Sequence, residues 1–278
     1  MYIKKLTIWL FMLTLKLPNF TKNTVATRAN EQQQINSLCV LCYDAEDKYL
    51  GRSNITSSDI KPKGDDTYDV KVKAELGTVT LHIVANTTIT DNDAKDADGK
   101  NNLYNAARGG NPNLDAPVCW GSVKVDDLLN SKTKVWLFRQ FAKASVTKDS
   151  KLTNFEITGF KLFNTATKGT IANTKLDTEV SLPSSVAYAD EKDYSMGEHP
   201  FYETPAAGKA YMIIKAKYNK GPETYYKVAF QMDFLRNRHY QVKVTAVNHA
   251  GYSSEKEAKD NLPENGLSVE VVDDNPPI

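Results

Sequence analysis

Apolar and polar residues alternate with a period of two along much of this chain. Near the C-terminal end, Tyr240, Val242, Val244 and Ala246 are separated by polar or charged residues. This alternation is typical of a β-strand with one face buried and the other exposed to water. We therefore predict that Tyr240, Val242 and Val244 face the core of a sheet.

Further segments with strand character follow one another through the sequence. They are short, rich in β-branched and aromatic residues, and bounded by Gly, Pro, Asn and Asp, as in an all-β sandwich. We predict strands or hairpins in the segments 35–43, 69–74, 79–85, 118–125, 134–148, 154–172, 209–219, 223–233 and 267–272. A short helix is predicted after Gly251, because Ser254 and Glu257 have the spacing of a capping box.

The composition favours a globular scaffold without a strong field of either charge. Among 278 residues, 35 are Lys or Arg and 34 are Asp or Glu. A balance this close gives no basic surface for nucleic acid or for an anionic membrane. The length is sufficient for two domains of ordinary size.

Three cysteines are present, and their setting argues against metal or redox chemistry. Cys39 and Cys42 have the C-x-x-C spacing, but they lie in INSLCVLCYD, which has the character of a strand. Alternation places Cys42 on the face of Leu38 and Val40, and Cys39 on the opposite face. Two such thiols cannot share a zinc ion, and redox C-x-x-C pairs normally open a helix. We expect these two and Cys119 to be buried and unpaired.

The N-terminal residues support two interpretations. Two lysines precede the apolar run LTIWLFMLTL, which has the order of a secretory signal and is too short to cross a bilayer as a helix. Leu13, Leu15, Leu17 and Phe20, in contrast, fall mostly on alternate positions, which predicts a strand. The polar segment 21–34 separates this strand from the next.

The polar segment 87–117 is predicted to be a surface loop. Its acidic residues suggest a calcium site, but an EF-hand loop with Gly99 as its glycine would lack carboxylates at its first and last positions. A looser site formed by Asp91, Asp93 and Asp96 is the alternative to the solvated acidic loop that we favour.

No catalytic constellation can be read from the sequence. The four histidines, His82, His199, His239 and His249, have no Glu or Cys at ligand spacing, and no G-x-S-x-G or H-E-x-x-H motif occurs. His82 lies within a predicted strand, where a structural role with satisfied hydrogen bonds is expected. We predict a non-enzymatic protein with no catalytic residues, no cofactor and no metal.

Three motifs together resemble the fimbrillins, the pilus subunits of Bacteroidales type V pili. They are Arg-Asn-x-x-Tyr at 236–240, Gly-Tyr-x-Ser-x-x-Glu-Ala at 251–258 and Arg-x-x-Ala-Lys at 139–143. Each motif is weak alone, and their combination is specific. The resemblance covers nearly the whole chain from Leu13 onward.

The resemblance implies an all-β fold of two tandem transthyretin-like β-sandwich domains. The expected division is a leader with a removable first strand at 1–28, an N-terminal domain at 29–149 and a C-terminal domain at 150–278. In the fimbrillins an arginine-specific protease cuts an exposed Arg-Ala bond, and a strand of the next subunit fills the groove left by the first strand. In this chain the bond would be Arg28–Ala29. The removed strand would carry Leu13, Leu15, Leu17 and Phe20.

The expected function is a structural or accessory subunit of a cell-surface pilus that supports adhesion and is exported to the outer membrane. The expected partners are other pilus subunits, an arginine-specific processing protease, and host or bacterial surface ligands, but not nucleic acid. The alternative is a secreted two-domain β-sandwich that binds a glycan or a host protein through loops such as 87–117. Exposed aromatic residues in that loop would favour the alternative, and Tyr104 is the one aromatic residue there.

Both ends of the chain leave interpretations open. The first cysteine is Cys39, so a lipoprotein leader of the kind typical of fimbrillins is not expected. Ile278 follows closely on the last predicted strand. The sequence is therefore either truncated or that of a subunit that accepts a strand without donating one.

Overall fold

β-strands are the main regular structure of the protein. The computed structural model describes residues 9–18, 33–130, 134–173, 175–176, 178–263 and 266–274. The strands are β1 (Trp9–Lys16), β2 (Ser37–Tyr43), β3 (Tyr49–Thr56), β4 (Ile60–Gly64), β5 (Thr67–Ala74), β6 (Thr80–Ala85), β7 (Ala107–Gly109), β8 (Cys119–Lys124), β9 (Lys134–Trp136), β10 (Phe138–Arg139), β11 (Phe141–Lys148), β12 (Phe155–Phe163), β13 (Thr165–Ala166), β14 (Lys168–Thr170), β15 (Tyr188–Ala189), β16 (His199–Tyr202), β17 (Tyr211–Tyr218), β18 (Glu223–Ala229), β19 (His239–Val247) and β20 (Leu267–Asp274). The helices are α1 (Asp91–Ala94), α2 (Val125–Leu129) and α3 (Glu255–Asp260), with 3₁₀ turns at Ser57–Asp59 and Ala206–Gly208.

Two sheets from the first half of the chain pack face to face around one core. One sheet has the strand order β4-β5-β1-β9, and the other has the order β10-β8-β6-β2-β3. Leu15 and Val72 of the first sheet share a buried cluster with Val40 and Ile83 of the second. This is the arrangement of a β-sandwich, in which the inward residues of both sheets form the core.

Two sheets from the second half enclose another core. Their strand orders are β16-β11-β19-β20 and β12-β17-β18. Val242 of β19 is fully buried against a cluster that contains Phe160, Ile214 and Tyr226 of the facing sheet. The chain passes from the first pair of sheets to the second at Gln140, because β10 pairs with β8 whereas β11 pairs with β16 and β19.

The predicted register of β19 is confirmed. Tyr240, Val242 and Val244 are 1%, 0% and 0% exposed. Ala246 is only half-buried, because a bulge between Val244 and Ala246 shifts the pairing with β20. The alternation therefore identified the core face correctly up to the bulge.

The predicted helix after Gly251 is present as α3, with one difference in its cap. The Ser254 side chain accepts a hydrogen bond from the Glu257 backbone N–H at 3.2 Å. The Glu257 carboxylate accepts from the backbone N–H of Ser253 at 3.1 Å. The reciprocal half of the expected capping box is thus displaced by one residue.

The segment 87–117 contains more regular structure than a simple surface loop. Thr90 and Asp93 form a complete capping box at the start of α1. Farther along, β7 pairs with β14 of the second half of the chain. The segment therefore connects the two pairs of sheets.

Candidate functional site

The first strand, β1, lies in the interior of its sheet. It pairs antiparallel with β5 over its whole length, from Trp9 opposite Ala74 to Lys16 opposite Thr67. On its other side Thr14 to Lys16 pair in parallel with β9. A segment from the N-terminal end of the chain is thus inserted between two strands that come from elsewhere in the sequence.

The side chains of β1 separate into an inner and an outer face. Leu13, Leu15 and the following Leu17 are 1%, 0% and 0% exposed and belong to the first core. Leu10 and Met12 point outward and are both 56% exposed. The predicted strand face is confirmed, but the strand was expected to begin at Leu13. It begins at Trp9, because the apolar run attributed to a signal also pairs with β5.

Removal of β1 would expose backbone groups on both of its neighbours. Leu17 donates its N–H to the Asp66 carbonyl at 3.0 Å, and Leu137 donates to the Lys16 carbonyl at 2.9 Å. The edge strand β9 has β1 as its neighbour in this sheet. Separate contacts hold β9 against the other sheet, since a Cβ added to Gly121 would meet the Trp136 carbonyl oxygen at 2.1 Å. The space between β5 and β9 is therefore shaped for one strand.

Arg139 occupies the end of this space and is 2% exposed. Its Nη1 donates to the Pro18 carbonyl at 2.5 Å and to Asn237 Oδ1 at 2.9 Å, and its Nε donates to Gln33 Oε1 at 2.8 Å. Burial lowers the pKa of this guanidinium, and the nearby thiol of Cys119 acts in the opposite direction. One buried cation therefore joins Pro18, which lies just beyond β1, to the segment before β2 and to the second half of the chain.

Arg236, the residue before the Arg139 partner Asn237, forms a buried ion pair with Glu203. Arg236 and Glu203 both have fully buried side chains, and Arg236 donates to Glu203 Oε2 through Nε at 2.8 Å and Nη2 at 2.5 Å. Arg236 also donates to the Ile171 carbonyl at 3.1 Å. The Arg-Asn motif at 236–237 thus supplies buried polar contacts to Glu203, to Ile171 and to Arg139.

Arg28, Ala29 and Phe20 lie outside the described residues. The structure therefore does not locate the expected processing bond or the last apolar residue of the expected removable strand. It describes Pro18 and Gln33 on either side of them, and both contact Arg139.

The three cysteines are placed as predicted. All are buried with free thiols. Cys42 belongs to the first core with Leu38, whereas Cys39 packs on the opposite face of β2 with Leu41. Burial raises the pKa of Cys39 to about 11 and that of Cys119 to about 12. Thiols held this far from ionisation are poor nucleophiles and poor metal ligands.

The three acidic side chains of the alternative calcium site, Asp91, Asp93 and Asp96, are engaged within the protein. Asp91 pairs with Arg52 at 3.0 Å, and Asp93 pairs with Arg108 at 2.8 Å. Asp96 Oδ1 accepts from the Lys100 N–H at 2.8 Å. Across the described ranges, no group of three or more His, Cys, Asp or Glu side chains could hold a metal ion.

His82 has the structural role that was predicted for it. It is 2% exposed, its Nδ1 accepts from Trp120 Nε1–H at 3.0 Å, and Asn101 lies 3.3 Å from its Nε2. Burial lowers the pKa of His82 to about 4. Tyr104 packs against the same aromatic group and is half-buried, so it is not the exposed aromatic residue that a binding loop would present.

The structure also brings together a serine, a histidine and a carboxylate that the sequence did not reveal. His199 Nε2 lies 2.9 Å from Ser195 Oγ, and His199 Nδ1 lies 2.8 Å from Glu191 Oε2. Glu191 precedes His199 by eight residues, a spacing that matches no catalytic or metal-binding motif, so this contact was not predicted. The Ser195 N–H already donates to the Phe160 carbonyl, and Glu191 accepts from Leu162, so these contacts fasten the segment to β12.

Comparisons with known proteins identify the fold. No family model matches the sequence, and no curated protein matches it significantly. Among solved structures, a fimbrial assembly protein from Parabacteroides distasonis is similar over 96% of this chain and 100% of its own, with a TM-score of 0.60 and 17% identity. The tip fimbrial protein Mfa3 from Porphyromonas gingivalis, with a C-terminal truncation, is similar over 97% and 100%, with a TM-score of 0.59 and 11% identity.

A fimbrilin from Porphyromonas gingivalis gives the same result. It is similar over 94% of this chain and 96% of its own, with a TM-score of 0.58 and 12% identity. The chain has the fold of the Bacteroidales fimbrial proteins. Among the described residues of this fimbrial fold, no helix has the length and apolar character needed to cross a membrane.

Proposed function

We propose that this chain is a subunit of a cell-surface pilus and is assembled by exchange of its first strand. The observation that carries the proposal is the position of β1 between β5 and β9, with backbone pairing on both sides. A strand in this position can be replaced by a strand of another subunit, which would restore the same hydrogen bonds. The similarity of fold to fimbrial proteins of the Bacteroidales supports this role.

Proteolysis after Arg28 would release the first strand. The bond Arg28–Ala29 stands in a polar segment between β1 and β2, which is the setting expected for a cleavable linker. After cleavage, the groove would have lost the cover of Leu13, Leu15 and Leu17. Each such side chain contributes about 1.5–3 kcal/mol when it is buried, so a replacement strand would bind tightly.

We further propose that the chain consists of two sandwich domains, with the leader and removable strand at 1–28. The sequence alone placed the boundary between 29–149 and 150–278. Because β11 pairs with strands of the second half, we propose to move that boundary to Gln140. The protein would act without catalysis, exported to the outer-membrane surface, with other pilus subunits and an arginine-specific protease as its partners.

The proposal is tested by cleaving the full chain with an arginine-specific protease. We expect the first cut to follow Arg28, with the remainder staying folded, because exposed linkers are cut faster than paired strands. Arg28→Ala should block this cut. Lys22→Ala is the matched control in the same segment, and it should leave the cut unchanged.

The cut protein should also acquire a binding site for a strand. A fluorescent peptide with the sequence of residues 9–18 should bind the cut protein and should not bind the uncut protein or the Arg28→Ala variant. If cleavage occurs elsewhere first, processing at Arg28 is the wrong step. If the cut protein releases its first strand and still binds no peptide, strand exchange at this groove is contradicted.

A further inference from the structure

A cavity of 460 Å³ lies where the segment 87–117 meets the second half of the chain. Its walls come from the residues before β2, from both ends of that segment, and from the junction between β10 and β11. A volume of this size falls within the range of about 300–1,000 Å³ that is typical of small-ligand sites.

Two buried side chains line this cavity with polar atoms that the protein does not engage. Tyr202 is 5% exposed and Gln140 is 1% exposed. Gln140 donates through Nε2 to the Gly169 carbonyl. Among the described residues, no hydrogen bond is made by the Tyr202 hydroxyl or by Gln140 Oε1. A donor and an acceptor are therefore available to a ligand on side chains that are otherwise buried.

The cavity carries no uncompensated charge. Arg108 is the cationic residue in its lining, and it is paired with Asp93 while its Nε donates to Thr87 at 3.0 Å. Burial raises the pKa of Asp93, but hydrogen bonds from Arg108 and Thr90 outweigh it and lower the pKa to about 2. Because Asp93 pairs with Arg108, the site has no free cation for a phosphate or a carboxylate.

The remaining polar lining consists largely of side-chain amides and hydroxyls. Asn36 and Asn111 contribute side-chain amides, and Asn113 contributes its Nδ2, because its Oδ1 already accepts from the backbone of Asp115 and Ala116. Apolar surface is provided by Pro112 and by Phe141 of β11. Amide groups both donate and accept hydrogen bonds, as the hydroxyls of a sugar do. An apolar wall beside them suits the carbon–hydrogen face of a sugar ring.

The walls are held in place before any ligand arrives. Asn86 donates to the Gln34 carbonyl at 2.8 Å and to the Pro117 carbonyl at 2.9 Å, and it accepts from the Asn36 N–H at 2.8 Å. The pairing of β7 with β14 fixes the other side. Such a pre-formed site loses little conformational entropy on binding.

We propose that this cavity is a binding site for an uncharged saccharide unit, with the Tyr202 hydroxyl and Gln140 Oε1 as its inner contacts. A peptide is a poorer fit, because extended peptides bind along sheet edges, whereas most of the residues that line this cavity lie outside the strands. None of the residues that line the site belongs to β1, so its ligand binding can be measured on the uncut chain, without strand exchange. It would give the single chain an adhesive function of its own.

The test uses the full, uncut chain labelled with ¹⁵N. The methyl glycosides of galactose, mannose and N-acetylglucosamine are titrated separately, and glucuronic acid serves as the charged probe. We expect at least one neutral glycoside to shift the side-chain amide of Gln140 and the backbone amides of Gly109 and Asn111. Glucuronic acid should not shift them.

Tyr202→Phe is the decisive variant, because it removes the hydroxyl and keeps the ring. Loss of one hydrogen bond predicts about tenfold weaker binding. The melting temperature should stay within a degree or two of the parent, since the hydroxyl bonds to no described residue. Tyr188→Phe, at a tyrosine that is 39% exposed and outside the cavity, is the matched control and should bind like the parent.

Two results would overturn the proposal. One is that none of the three glycosides shifts the resonances of the cavity, or that glucuronic acid shifts them and the neutral sugars do not. The other is that Tyr202→Phe binds the active glycoside as tightly as the parent does. Both results are measured on the uncut chain, so neither of them tests the strand-exchange proposal, which concerns the cut protein.

Discussion

At the scale of single residues, the polar groups with unusual environments are those that the fold has buried. His82, Arg139 and the pair formed by Arg236 and Glu203 are all at most 2% exposed. Burial disfavours the charged form of a group unless a partner stabilises it. Arg236 has a carboxylate partner. His82 is kept neutral by burial, which lowers its pKa, and Trp120 donates a hydrogen bond to its Nδ1.

His82 should make the protein less stable in acid. Its folded pKa of about 4 lies below its ordinary value of 6.5, so the unfolded chain takes up the proton first as the pH falls. No effect is expected above pH 7, and the loss of stability should reach about 2–3 kcal/mol near pH 4.5. Urea denaturation of the parent and of His82→Gln at both pH values measures this contribution.

The glutamine variant can still accept the hydrogen bond from Trp120, but it cannot titrate. The difference in unfolding free energy between pH 7 and pH 4.5 should therefore shrink by about 2–3 kcal/mol in the variant. An unchanged difference would mean that His82 is protonated in the folded protein near pH 6.

At the scale of elements, β1 completes the first core although its partners, β5 and β9, come from distant parts of the sequence. Its inner face supplies Leu13 and Leu15 to the first core, while Leu10 and Met12 stay at the surface. Because side chains alternate, a shift of one residue would exchange these two sets. The parallel pairing with β9 further fixes the strand at its C-terminal end.

The register of β1 can be checked by truncating one side chain on each face. Leu15→Ala should destabilise the protein by about 2–5 kcal/mol, because it leaves a cavity in the first core. Met12→Ala, three residues earlier on the exposed face, should change the unfolding free energy by less than about 0.5 kcal/mol. Equal effects of the two changes in urea denaturation would show that β1 is not paired as described.

At the scale of the whole molecule, Arg139 connects parts of the chain that are far apart in sequence. It contacts Pro18, Gln33 and Asn237, so the first strand and the Arg-Asn motif of the second half share one buried cation. Loss of the first strand would remove one of these partners. The presence or absence of β1 in the groove therefore changes the hydrogen bonding of Arg139 at the junction between the two pairs of sheets.

Arg139→Met should weaken both regions together. We expect a loss of about 3–5 kcal/mol in unfolding free energy, because several buried acceptors lose their donor. Hydrogen exchange should become faster both in β1 and around Asn237. Lys71→Met, at an exposed position on β5, is the control and should change neither region. Faster exchange in β1 alone would show that the two regions are not coupled through Arg139.

The sequence by itself determined the class of fold and the directions of the side chains in β2 and β19. Alternation assigned Tyr240, Val242 and Val244 to the core and separated Cys39 from Cys42, because side-chain direction in a strand depends only on local geometry. It also predicted a first strand in which Leu13, Leu15, Leu17 and Phe20 fall mostly on alternate positions. These properties are local, because the alternation of side chains along a strand does not depend on which strands pair with it.

Only the tertiary structure decided which segments meet. The insertion of β1 between β5 and β9, the burial of Arg139 against Pro18, and the cavity at Tyr202 and Gln140 all join residues distant in sequence. The contact of Ser195 with His199 and Glu191 was missed for a related reason, since its geometry depends on how the segment folds over Phe160. Pairing between strands is set by the packing of a common core, which no single segment encodes.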